Sequence, residues 1–257
     1  MRRAASLAGG IACACVALAV LAACGGGTGG GGTPSTVVAQ VGQHAITKAA
    51  LSEWITETIG QDFFLTTSHQ APLGLVSEPP DYQRCVSVVN KLRAEASKPP
   101  LSEAVAMRRC EELYRAVEHQ ALAYLVTSFW RLDLYARYGI TVTPAQLQRT
   151  LQRFKASNYP NPGQFQQVLA GRRRTLPQEL FIITNNILSE ELKERLLNRG
   201  QSLGAFVKAS ERALISEPAI CNPGYVVEDC RGYQRPAESA VRSDAGAPGP
   251  LLEEIVR

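Results

Sequence analysis

From Gly25 to Gly32 the chain is glycine at every position but Thr28. Such a stretch has no side chains to bury and behaves as a flexible coil, so what folds must lie beyond it. What precedes it reads as an address. Met1-Arg2-Arg3 opens with positive charge, an apolar run follows from Leu7 to Ala23, and Cys24 closes it. A charged start, a short apolar stretch and small residues at its end make a secretory signal, and the apolar part is short for a membrane span. The organisation expected is a signal segment over 1–23, a tether over 24–36, a folded body over 37–235 and a tail over 236–257. The tail is rich in Ala, Gly, Pro and charge and is expected to be disordered.

The ending Leu21-Ala22-Ala23-Cys24 resembles the lipobox of bacterial lipoproteins. That resemblance implies a lipoprotein with a diacylglycerol on the Cys24 sulfur, cleavage just before it, and a body held outside the cytoplasm in the cell envelope. Cys13 and Cys15 lack the leucine three places earlier. Each buried CH₂ of an acyl chain contributes roughly 0.8 kcal/mol, so two chains anchor stably where one would not. The lipid makes the membrane a partner of the chain.

Cysteine usage agrees with export. Of the 7 cysteines, setting aside Cys13, Cys15 and Cys24 leaves Cys85, Cys110, Cys221 and Cys230. An even remainder in an exported chain points to disulfides, and nearness in sequence favours Cys85–Cys110 and Cys221–Cys230. Metal ligation is the alternative, but no C-x-x-C pair occurs and His44, His69 and His119 are scattered. No metal site and no cofactor is expected. The formal net charge is +4, of which Arg2 and Arg3 supply two. A near-neutral body argues against a nucleic-acid surface, which needs a concentrated basic stripe. The run Arg172-Arg173-Arg174 reads as a solvated loop between helices, with weak contact to anionic headgroups as its functional alternative.

The body reads as mainly helical. Val37 to Val41 is β-branched, Gly42-Gln43 makes a turn and His44 to Ile46 continues as a second short strand. Thr47 caps a helix with Leu51, Ile55 and Ile59 on one face and Trp54 beside them. Phe63 to Pro80 reads as a loop, Tyr82 to Leu92 as a helix, and Lys98-Pro99-Pro100 as a break. A long helix spans about 102–138 and stops at Gly139. A Cys85–Cys110 bridge would then staple two antiparallel helices, stabilising them by roughly 3 kcal/mol in the loop-entropy model. Thr143-Pro144 opens another helix, with Pro at the first position. Gln164 to Ala170 is a short helix ended by Gly171. Thr175-Leu176-Pro177-Gln178 is a capping box that starts a helix to about Asn198, and a last helix covers 203–214.

The order of these pieces carries a second resemblance. Val37-Val38-Ala39-Gln40-Val41-Gly42-Gln43-His44-Ala45-Ile46-Thr47 resembles the start of the SurA-like and PrsA-like extracytoplasmic foldases, "VVA-x-VNG-x-x-IT", with Gly42-Gln43 in place of Asn-Gly. Gly139-Ile140-Thr141-Val142-Thr143, followed by Leu147, resembles that family's "G-I-x-V-(S/T)-x-x-E-(V/L)" segment. Phe165, Leu169, Gly171, Thr175 and Leu180 resemble a third segment, and Cys221 to Cys230 looks like the C-terminal cysteine pair of actinobacterial lipoprotein members. The resemblance implies a SurA/trigger-factor-like helical peptide-binding domain with a short N-terminal β-hairpin, acting as a holdase or foldase-like chaperone on unfolded, extended exported polypeptides.

Many members of that family also carry a parvulin domain for X-Pro isomerisation. Here only Arg199-Gly200-Gln201-Ser202 separates the helix ending at Asn198 from the last one, and no histidine follows His119. No catalytic residues are assigned: no Ser-His-Asp, Cys-His or paired-carboxylate pattern stands out, and Glu190-Glu191 and Glu253-Glu254 read as solvated. The residues expected to line an open apolar groove are Trp54, Phe63, Phe64, Phe129 and Trp130, with Phe63 and Phe64 the most exposed. The alternatives are an adaptor lipoprotein docking one envelope partner and a peptidyl-prolyl isomerase relative with residual activity.

Overall fold

In a computed structural model of the chain, residues 37–161, 163–202, 204, 207–208 and 218–233 are described. The signal segment, Cys24, the tether, the tail beyond 236 and nearly all of the helix expected over 203–214 lie outside the described residues. Those described belong to a single unit, Thr36–Arg257.

The chain enters as a hairpin, β1 (Val37–Val41) against β2 (His44–Thr47), and turns at Gly42, whose φ of 52° is a left-handed value that glycine tolerates. Six helices follow among the described residues: α1 (Lys48–Thr67), α2 (Gln83–Glu95), α3 (Glu103–Arg137), α4 (Pro144–Asn158), α5 (Gln164–Gly171) and α6 (Leu176–Asn198). The caps are those the sequence indicates. Thr47 Oγ1 accepts from the Ala50 N–H, and complete capping boxes join Thr143 to Gln146 and Thr175 to Gln178. The long helix stops where Gly139 takes φ 63° and the Ile140 N–H reaches back to the Tyr135 carbonyl.

Two elements differ from the sequence reading. α1 does not end before Phe63 but runs on to Thr67. Nothing between Gln61 and Thr67 breaks a helix, the Thr66 and Thr67 hydroxyls donate to the carbonyls of Asp62 and Phe63, and Phe63 extends the buried stripe of Leu51, Ile55 and Ile59. A third strand, β3 (Ile220–Cys221), returns from the C-terminal side to pair antiparallel with β1, giving the order β2-β1-β3. The Asn222 N–H donates to the Val38 carbonyl and extends that pairing.

The main core joins the sheet to α1, α2, α3 and the second half of α6, with Val38, Leu51, Val117, Leu125 and Leu192 among its buried members. A second, smaller cluster, Leu151, Phe165, Leu169 and Ile183, joins α4 and α5 to the first half of α6. Two disulfides close the framework. Cys85–Cys110 links α2 to α3 with Cα atoms 5.9 Å apart, and Cys221–Cys230 closes the segment that carries β3, at 5.7 Å. No helix among the described residues is long and apolar enough to cross a membrane.

Candidate functional site

The α5–α6 turn, Gly171 to Thr175, is pressed onto α1. Two glycines permit the approach: a Cβ at Gly171 would stand 2.5 Å from the Phe64 ring, and one at Gly60 would stand 2.4 Å from the Arg172 carbonyl oxygen. Further along, the Gln178 side-chain amide donates to the Glu53 carbonyl at 3.2 Å. The Arg172-Arg173-Arg174 run is therefore not the solvated loop its composition suggests. Each of its three side chains has a different environment.

Arg174 is buried, its side chain 7% exposed, between Glu57 of α1 and Glu179 of α6, at 7% and 6%. Its Nε donates to Glu57 Oε1 at 2.7 Å, its Nη1 to Glu179 Oε2 at 2.6 Å, and its Nη2 to the Gln61 side-chain carbonyl. A charge without water is stable only when paired and hydrogen-bonded, and here one guanidinium serves two carboxylates. Burial raises the Glu57 pKa above the ordinary glutamate value, against the opposing pull of Arg174. Burial works against the Arg174 charge too, but the flanking carboxylates outweigh it and leave its pKa raised. Arg173, in a left-handed conformation with φ 52°, donates through Nε to the Ala71 carbonyl at 3.1 Å. Arg172 lies with its guanidinium carbon 5.8 Å from the Phe64 ring centroid.

Above this lock lies an open cleft of about 480 Å³. α1 contributes Trp54, Thr58, Gln61 and Leu65, which recur at helical spacing along one face, together with Glu57 and Asp62. α3 contributes Gln120 and Tyr124, the turn Arg172 and Arg174, and α6 Ile182. Tyr124 and Leu65 keep 37% and 65% of their surface exposed. The Trp54 ring packs on Tyr124 at 4.9 Å and edge-on to Phe181 at 5.7 Å. The wall combines aromatic faces with amide, hydroxyl and charged groups, so the cleft is not the continuous apolar channel the sequence reading expects.

Among the groove residues expected from sequence, Trp54 borders this cleft from the main core with 7% of its surface exposed, and Phe64, half-buried, supports its wall beside Arg172. Phe129 packs on Phe181 at 5.5 Å and stacks with His44 at 4.9 Å, on the far side of the aromatic cluster from Tyr124. Phe63 and Trp130 are buried in the main core, where they can touch nothing that enters from solvent. Phe63 falls on the inward stripe once α1 continues past it, and Trp130 lies on the inward face of α3. The sequence reading missed Tyr124, Gln61, Gln120, Leu65, Ile182 and Arg172. The sequence signals were the 54, 58, 61, 65 spacing for Gln61 and Leu65, a helix face of mixed polarity that periodicity alone assigns to solvent, and the basic run for Arg172.

The site offers contact surface and hydrogen-bonding groups. Among the described residues, no group of three His, Cys, Asp or Glu side chains is placed to hold a metal ion. No protein-family model, no curated protein and no solved structure matches the chain.

Proposed function

We propose that the chain is a lipid-anchored, extracytoplasmic chaperone that holds extended segments of exported polypeptides in the cleft between α1, α3 and the α5–α6 turn. The observation that carries this reading is the meeting of exposed Tyr124 and Leu65, backed by Trp54, with Gln61 and Gln120 on one open wall. An extended polypeptide presents side chains alternately with unpaired backbone N–H and C=O groups. Aromatic and aliphatic surface takes the first, and the Gln61 amide N–H groups, its oxygen already accepting from Arg174, together with the Gln120 amide take the second. Binding an unfolded chain lowers its free concentration and with it the tendency to aggregate. The lipobox-like Leu21-Ala22-Ala23-Cys24 and the foldase-like order of segments from Val37 to Asn198 support the compartment and the client class.

A refolding assay tests the activity: stoichiometric protein suppresses aggregation of an unfolded client, and replacing the exposed wall residues, Tyr124→Ala with Leu65→Ala, abolishes the effect, with circular dichroism confirming that the variant stays folded. Absence of suppression by the unaltered protein overturns the reading. Metabolic labelling with a fatty acid tests the anchor, with label on the chain and none on Cys24→Ser. The confined, partly charged cleft also suits an adaptor that docks one dedicated envelope partner. Capture of a single partner in place of many clients decides for that second reading.

A further inference from the structure

Three consecutive arginines share the turn that forms one side of the cleft, and only two are used by the fold. Arg174 is saturated by Glu57, Glu179 and Gln61, and Arg173 is tied to the Ala71 carbonyl. Arg172 faces the cleft, yet its Nε is shielded from solvent and has no hydrogen-bond acceptor among the described residues. Its guanidinium carbon lies 5.8 Å from the Phe64 ring centroid, over that ring. A guanidinium takes a carboxylate in a two-pronged geometry that a lysine cannot reproduce.

We propose that Arg172 makes the cleft selective for polypeptide segments in which a carboxylate side chain neighbours an aromatic or aliphatic one. The inference rests on the polypeptide-binding reading above. The apolar side chain rests on Tyr124, whose ring packs on Trp54 at 4.9 Å, and on Leu65, and the carboxylate reaches Arg172 in the same cleft. The complementarity is local. Glu57 already shares its charge with Arg174, so it offers a carboxylate ligand no competing free anion at Arg172. A charge-assisted hydrogen bond of this kind, partly shielded from water, is of the strength that changes affinity by roughly tenfold.

Fluorescence anisotropy on the full chain tests this with three extended peptides alike except at one position beside a central tryptophan, which carries Asp, Asn or Lys. The expected order of affinity is Asp over Asn over Lys, with Asp and Lys separated by roughly tenfold at low salt and less at high salt. Arg172→Gln is expected to bring the three affinities together, whatever their common level, and Arg172→Lys to restore only part of the order. Circular dichroism confirms that the variants remain folded. If all three peptides bind the unaltered protein equally, or Arg172→Gln keeps the order, the selectivity is overturned and the polypeptide-binding reading stands. If none binds, both fall.

Discussion

Gly60 of α1 meets the main chain of Arg172 so closely that a Cβ at position 60 would stand 2.4 Å from the Arg172 carbonyl oxygen and 2.8 Å from its carbonyl carbon. Alanine in a helix interior is ordinarily about 1 kcal/mol better than glycine. Here the obstacle is backbone, which cannot rotate aside. Gly60→Ala is expected to lift the α5–α6 turn from α1 and to lower stability by about 1–2 kcal/mol net, measured by urea denaturation. A stabilised variant would show that the turn yields freely.

The Arg174 lock predicts an asymmetry between removing one partner and removing all. Arg174→Met strands Glu57 and Glu179 in a buried place and is expected to destabilise by about 3–5 kcal/mol. Replacing the set together, Glu57→Leu with Arg174→Met and Glu179→Leu, is expected to recover most of that loss, since a well-packed apolar cluster does not have to desolvate charge. Denaturant midpoints of the two variants decide it, and equal losses would contradict a lock made by charge pairing.

Burial holds the Glu57 pKa above its ordinary 4.5, so the folded state binds this proton more tightly than the unfolded state. The associated stability is fully present below 4.5 and is lost as pH rises through the raised folded value. Glu57→Gln keeps a side-chain acceptor for Arg174 and removes the titration. Its stability relative to the unaltered protein is expected to improve steadily as pH is taken from 4 to 7. Glu118, also raised by burial, titrates in both proteins and cancels in the comparison. Parallel curves would remove Glu57 as the titrating group.

The disulfides predict a ranking. Cys85–Cys110 spans 25 residues and Cys221–Cys230 spans 9. The loop-entropy relation assigns them about 3.5 and about 2.6 kcal/mol. Paired Cys→Ala replacement of the first is expected to lower the melting temperature more than replacement of the second, and the burial of Cys85 and Cys110 widens the gap. The reverse order would mean that holding β3 against β1 matters more than joining α2 to α3.

The hairpin, the Thr47, Thr143 and Thr175 caps, the stop at Gly139 and the cysteine pairs at short separation are all legible in the sequence. Each is a relation among neighbours a few residues apart, governed by backbone sterics and local hydrogen bonds. Even the overlooked end of α1 was present in the Leu51, Ile55, Ile59, Phe63 spacing, which loop-like composition further along obscured. What the residues near one another in sequence could not decide is which aromatic faces solvent. Trp130 and Tyr124 lie on the same helix, yet the first is core and the second is cleft wall.

By itself, then, the sequence determined most helix starts and stops, the end of α1 excepted, and which cysteines have near partners. Only tertiary structure assigned Arg172, Arg173 and Arg174 their three different environments, brought β3 to β1 and opened the cleft. The reason is distance along the chain. Arg174 meets Glu57 across 117 residues, and Asn222 meets Val37 across 185. A side chain's burial is set by whatever distant surface covers it, which local periodicity does not encode.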